Sequence, residues 1–254
     1  MSANIVLVLG DTGSGKTSSL RHLDPKQTAI INIADKKLPM KGAMVNYIPL
    51  RGDNNGNLVN LSMPRDLASV IKTRDKLFGA IRYYNARPEI KYLHIDDAQY
   101  FMSFEMFSRV NEKKYDKFTE MAVNLVNLIA LLKSCRDDLN ISVAWHEESG
   151  EKDGSVYFSA KTCGKMISQN LTIEGLFTYV VRSVKRPALW ELENGHCFCI
   201  GEECSTAKMP MGMFGGIDVR HIPNDLKLVF QGIHAYDQGI DFDWQKEYEK
   251  ILAA

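Results

Sequence analysis

The residues best suited to chemistry stand near the start of the chain, in Gly10-Asp11-Thr12-Gly13-Ser14-Gly15-Lys16-Thr17, followed by Ser18. The octet satisfies G-x-x-x-x-G-K-[ST], the phosphate-binding loop pattern. Each residue type has a task in holding a nucleoside triphosphate. The glycines allow successive backbone N–H groups to turn towards phosphate oxygens. Lys16 brings a mobile charge to the β- and γ-phosphates, and the Thr17 hydroxyl offers a magnesium ligand. A helix behind the loop would aim its positive end at the same anion. A second cluster lies in IKYLHIDDAQY (90–100), where an apolar run ends in Asp96-Asp97. An acid at the end of such a strand holds the magnesium, often through water, and Asp96 is assigned that task. Hydrophobic residues followed by Asp are common, but their distance from the loop, with room for a β–α unit between, makes this pair specific.

The elements that position these groups follow from patterning. Ile5 to Leu9 form a buried strand that runs straight into the loop. TAIINIAD (28–35) reads as a second, with Asp35 at the end where ligands bind in open α/β sheets. Lys36, Lys37 and Lys41 surround Pro39 on that edge, as a ligand contact or a solvated turn. ISVAWHEE (141–148) is another buried strand and carries His146 and Glu147 to the same edge. There His146 suits a residue that senses the γ-phosphate, with a structural histidine as the alternative; His94 reads as a packed core histidine.

Helices are predicted over 64–84, 101–110 and 115–136. In the last, Phe118, Met121, Ala122, Leu125, Leu128, Ile129 and Leu132 form an apolar stripe. Strands follow over 45–50 and 176–184. A hairpin joins 188–192 to 197–200, turned at Glu193-Asn194-Gly195. Asn224 and Asp243 are expected to cap two final helices. The pattern predicts an α/β fold: a central, mostly parallel sheet flanked by helices, with a C-terminal β-hairpin and helices, in one domain over 1–254.

Residues 149–165 read as a loop or hairpin with Lys152, Lys161 and Lys165 beside Tyr157 and Phe158. Cations beside rings are what single-stranded nucleic acid needs, and a plain surface hairpin is the competing explanation. Arg182, Lys185 and Arg186 form a further basic cluster. With 31 Lys+Arg balancing 31 Asp+Glu, nucleic-acid contact requires such a local patch. Cys197-x-Cys199 beside His196 and Cys204 offers metal ligands, but C-x-C is not the usual zinc spacing. Five cysteines in all suggest reduced thiols. With no apolar run of membrane-spanning length, a cytoplasmic protein is expected.

Taken together, GDTGSGKTSSLRHLDP, KKLP, HIDDAQY, YDKFTE, TIEGLF and STAKMPMGMF resemble a phage family. Its members are RecA-like, P-loop ATP-binding proteins encoded with recombination and single-strand-annealing genes. The likeness runs from about residue 5 to 236. It implies a RecA-type core, ATP and magnesium as cofactors, and hydrolysis stimulated by single-stranded DNA. It further implies a homo-oligomeric ring or filament and an annealing or single-strand-binding protein as partner. Lys208, in Thr206-Ala207-Lys208, resembles the segment that reaches a neighbouring subunit's γ-phosphate, and His146 occupies the place of a sensing glutamine. The family's water-activating glutamate has no match here: Asp35 stands in the corresponding place and Asp97 competes with it. A small-molecule or nucleoside kinase shares the loop and the sheet, although no arginine-rich lid is present beyond 182–186. A nucleotide-switched binding protein of the helicase-loader type is the third reading.

Overall fold

The computed structural model describes residues 3–34, 36–39, 46–52, 58–60, 76–113, 116–152, 154–164, 167, 170–189, 193–201, 206–216 and 218–253. Asp35, Lys41, Lys165 and Cys204, with the first part of the helix expected over 64–84, lie outside them.

Alternation along β1 (Asn4–Gly10) sets the layers of the molecule. Ile5, Leu7 and Leu9 join one core while Val6 and Val8 join another, as a period of two requires. The first core is shared with α1 (Lys76–Asn85), α2 (Tyr100–Ser108) and α3 (Asp116–Lys133). The second is shared with α4 (Leu226–Asp237) and α5 (Trp244–Ala253). A strand covered on both faces reads as a continuous apolar run, which is why β1 is so plain in the sequence.

The other strands are β2 (Thr28–Asn32), β3 (Asn46–Gly52), β4 (Leu58–Asn60), β5 (Tyr92–Asp96), β6 (Asn140–Lys152), β7 (Ser155–Ala160), β8 (Tyr179–Lys185), β9 (His196–Cys199) and β10 (His221–Pro223). The central sheet runs β10-β9-β8-β1-β6-β5-β2-β3. From β8 to β3 every pairing is parallel; β9 and β10 extend the β8 edge with antiparallel pairings. β4 and β7 pair antiparallel with β3 and β6. The expected mixed α/β fold with a central, mostly parallel sheet flanked by helices is therefore present.

Several local expectations change. The loop is followed by a four-residue 3-10 turn, Thr17–Leu20, rather than a regular helix. Ser19 bonds its hydroxyl back to the Lys16 carbonyl, and Asp24-Pro25 ends the segment soon after. The dipole expected from a long helix thus reduces to the N–H groups of one turn. β9 pairs with β8 on one side and β10 on the other, and Pro187–Leu189 form a 3-10 turn where the predicted hairpin strand over 188–192 begins; its residues 190–192 lie outside the described ones. α4 is capped by Asp225, whose Oδ1 accepts from the N–H groups of Lys227 and Leu228, and not by Asn224. Asp243 caps α5 as expected. The predicted stripe of α3 is buried at Met121, Leu125, Leu128, Ile129 and Leu132. Cys135 and Cys163 carry free thiols, whereas Cys199 is disulfide-bonded, contrary to the all-thiol expectation. Among the described residues no helix is long and apolar enough to cross a membrane.

Candidate functional site

Because β6 lies between β1 and β5, the ends of the loop strand and the acid strand flank the end of the β6 core. Gly10 is in register with His146, and Asn32 with Asp96. This common edge forms one wall of a cleft of about 490 Å³ lined by Thr12, Gly13, Gly15, Lys16, Thr17 and Ser18. Lys36, Asp96, Asp97 and His146 face it on the acid side, and Arg21, Asn194, His196 and Asn224 on the other.

Lys16 is 7% exposed and donates to the carbonyls of Gly10 (2.8 Å) and Asp11 (2.9 Å). Burial lowers its pKa below the usual lysine value, against the opposing pull of Asp97 and Asp96. Thr17 donates from Oγ1 to Asp96 Oδ1 at 2.9 Å, across 79 residues of chain. A hydroxyl and a carboxylate oxygen side by side at a phosphate loop fit a magnesium ion that takes its other ligands from phosphate and water. Among the described residues no group of three or more His, Cys, Asp or Glu side chains converges on a metal position. Cys199, being disulfide-bonded, offers no thiolate for zinc.

Asp96 is buried, and His94 stands behind it, with Nδ1 2.7 Å from Ser142 Oγ and Nε2 3.5 Å from Asp96 Oδ1. The core reading of His94 holds, with a contact to the candidate metal ligand added. Asp97, also buried, has a left-handed backbone (φ 54). Its Oδ1 lies 3.2 Å from His146 Nε2, and its Oδ2 forms an ion pair with the Lys36 ammonium. Burial alone would raise the Asp97 pKa, but His146 and Lys36 more than offset it and hold the carboxyl below its ordinary value. Burial likewise works against the charge on Lys36, and its bond to Asp97 outweighs this, so its pKa is raised. His146 is fixed in turn: Gln99 Oε1 accepts from its backbone N–H at 3.2 Å.

Three side chains that the sequence did not single out for this purpose hold the loop's carbonyls in place. Ser183 Oγ donates to the Ser14 carbonyl (2.9 Å), which also meets His196 Nδ1 at 3.1 Å. Asn224 Nδ2 donates to the Gly15 carbonyl at 3.0 Å. Gly15 adopts φ +104, and a Cβ there would stand 2.2 Å from Asn224 Nδ2, so only glycine fits. At Gly10 a Cβ would stand 2.7 Å from the Ser183 carbonyl. Arg21 donates to the carbonyls of Ser18 (3.1 Å) and Asn224 (2.6 Å), closing this network. No local motif signals these contacts, which join positions up to 209 residues apart.

Other candidates are more scattered. Asp11 turns its carboxylate to the Thr12 N–H and lines a second pocket of about 220 Å³ with Gln99, Tyr100, His146 and Lys161. Within the expected loop or hairpin, residues 147–152 pair antiparallel with 155–160, but alternation sends Tyr157 and Phe158 to opposite faces. Tyr157 is exposed, whereas the Arg182 guanidinium covers Phe158, 3.4 Å from the ring centroid, so the two rings do not form one stacking platform. Arg182 also makes a bidentate pair with Glu147, which removes it from a free basic cluster. Lys152 stands opposite Ser155 near the tip, and exposed Lys161 is tied by its N–H to the His146 carbonyl. The β6 arm carries Glu147, Glu148 and Glu151 beside Lys152, an acidic balance that the sequence reading did not weigh. Lys208 bridges to Val180 near the start of β8, does not line its own chain's cleft, and donates from Nζ to the Phe177 carbonyl at 2.9 Å. No protein-family model and no curated protein matches this chain.

Proposed function

We propose that this chain binds ATP with magnesium and hydrolyses it, as a RecA-like recombination protein acting on single-stranded DNA. The observation that carries the nucleotide reading is the Thr17–Asp96 bond, which joins the phosphate loop to the acid of a distant strand. Thr17 and Asp96 would hold the magnesium, which supplies charge neutralisation on the phosphate oxygens. Lys16, released from the Gly10 and Asp11 carbonyls, neutralises the β- and γ-phosphates. Of the two acids weighed as water-activating base, Asp97 lies in the cleft with His146 orienting one of its oxygens. Asp97 accepts a proton from the water that attacks the γ-phosphorus, while the bond from that phosphorus to the β-phosphate oxygen breaks and ADP departs with the electron pair.

The DNA and oligomer parts rest on the family resemblance. Exposed Tyr157 and Lys161 give strand contacts on the hairpin side. The placement of Lys208 outside its own cleft suits a residue that works on a neighbouring subunit. A nucleotide-switched binding protein with little turnover is the second reading, favoured by the engagement of Asp97 with both Lys36 and His146. Phosphate release measured with and without single-stranded DNA separates the two. The first expects DNA-stimulated turnover that Lys16→Ala abolishes, since losing such a cation costs on the order of several kcal/mol of barrier. Little turnover with or without DNA favours the second reading, and substantial turnover that Lys16→Ala leaves unchanged refutes both.

A further inference from the structure

We propose that Lys36 is a second phosphate-binding cation, which exchanges its ion pair with Asp97 for the terminal phosphate of a bound nucleoside triphosphate. The inference rests on the triphosphate reading of the cleft and assigns a residue that this reading leaves unused.

The sheet order places the Lys36 segment on the far side of the acid strand from the loop. β2 pairs with β5, and Asn32 at its end donates from Nδ2 to the Lys36 carbonyl at 2.6 Å. The backbone of Lys36 is thus tied to the rim, while its side chain, 56% exposed, meets Asp97 on the acid side of the cleft. Lys16 lies in the loop at the opposite wall, and Thr17 and Asp96 mark the metal position between them. A phosphate chain lying in the loop with its metal at Thr17 and Asp96 brings its terminal group towards Lys36.

Asp97 keeps a partner when this lysine leaves. It is 2% exposed in a left-handed backbone, and its other oxygen already meets His146. A triphosphate brings several negative charges into the same space and outbids one carboxylate for the exposed ammonium. Exchange leaves Asp97 held by His146 alone, with Oδ2 turned to the cleft and available to a water. Lys36 therefore links arrival of the terminal phosphate to release of the acid, and a diphosphate, lacking that group, leaves the pair closed.

The test is a binding cycle with ATP and ADP at saturating magnesium, using Lys36→Met, Asp97→Asn and the double variant. Lys36→Met is expected to weaken ATP by about tenfold, the scale of one charge-assisted contact, while ADP stays within about twofold. Asp97→Asn removes the competitor and is expected to tighten ATP several-fold even as turnover falls. In the Lys36→Met background the same Asp97→Asn change is expected to give no tightening. Equal weakening of ATP and ADP by Lys36→Met overturns the proposal, because Lys36 then merely supports the fold. A gain from Asp97→Asn that persists without Lys36 overturns it too, because removal of a negative charge then explains the gain. If the unaltered protein binds neither nucleotide, the triphosphate reading fails first, and the two failures are distinct.

Discussion

Removing the Glu147 carboxylate should destabilise the protein strongly. Arg182 donates to it twice, from Nε at 2.7 Å and from Nη2 at 2.8 Å, and the two side chains are only 10% and 8% exposed. The guanidinium also covers the Phe158 ring, 3.4 Å from its centroid, so it cannot swing to solvent without uncovering the ring. Glu147→Ala therefore leaves a buried cation without its partner, which costs roughly 3–5 kcal/mol. At about 2–4 °C per kcal/mol for a chain of this size, the melting temperature should fall by roughly 6–20 °C. Thermal unfolding followed by circular dichroism measures it. The double variant Glu147→Leu/Arg182→Met should recover much of the loss, since no charge is then left buried. A loss below about 1 kcal/mol in the single variant, the range of an exposed pair, would refute the reasoning. Losses that simply add in the double variant would refute it equally.

Two further outcomes follow from the loop and from Lys208. Gly15→Ala forces a side chain into a φ of +104 and against Asn224, with backbone strain of about 1–3 kcal/mol before the Asn224 bond is lost. A fluorescent ATP analogue should bind this variant far more weakly than the unaltered protein, and normal binding would show that Asn224 can yield. If Lys208 acts on a neighbouring subunit, specific ATPase activity should rise with protein concentration. Mixing Lys208→Ala with Lys16→Ala should then restore part of the activity. Mixtures that co-assemble by light scattering yet stay inactive would leave Lys208 with its local bond to Phe177.

The glycine-rich loop of residues 10–17, the strand before it and the acid at the end of β5 were legible in the sequence because their signals are local. A loop that wraps a phosphate needs glycines, a lysine and a hydroxyl at fixed spacing, and a strand buried on both faces is apolar throughout. The stripe of α3 and the cap of α5 were legible for the same reason: each depends on neighbours within four residues of chain. Only the tertiary structure decided which strands are neighbours, and hence that His146 meets Asp97 while Ser183, His196 and Asn224 brace the loop's carbonyls. Sequence put Tyr157 and Phe158 side by side, and strand geometry placed one in solvent and the other under Arg182. Asn224 carries the signature of a helix cap, yet Asp225 makes the cap and Asn224 turns to Gly15. Such side-chain choices depend on which polar groups the fold brings within hydrogen-bond reach, and contacts spanning up to 209 residues leave no local trace.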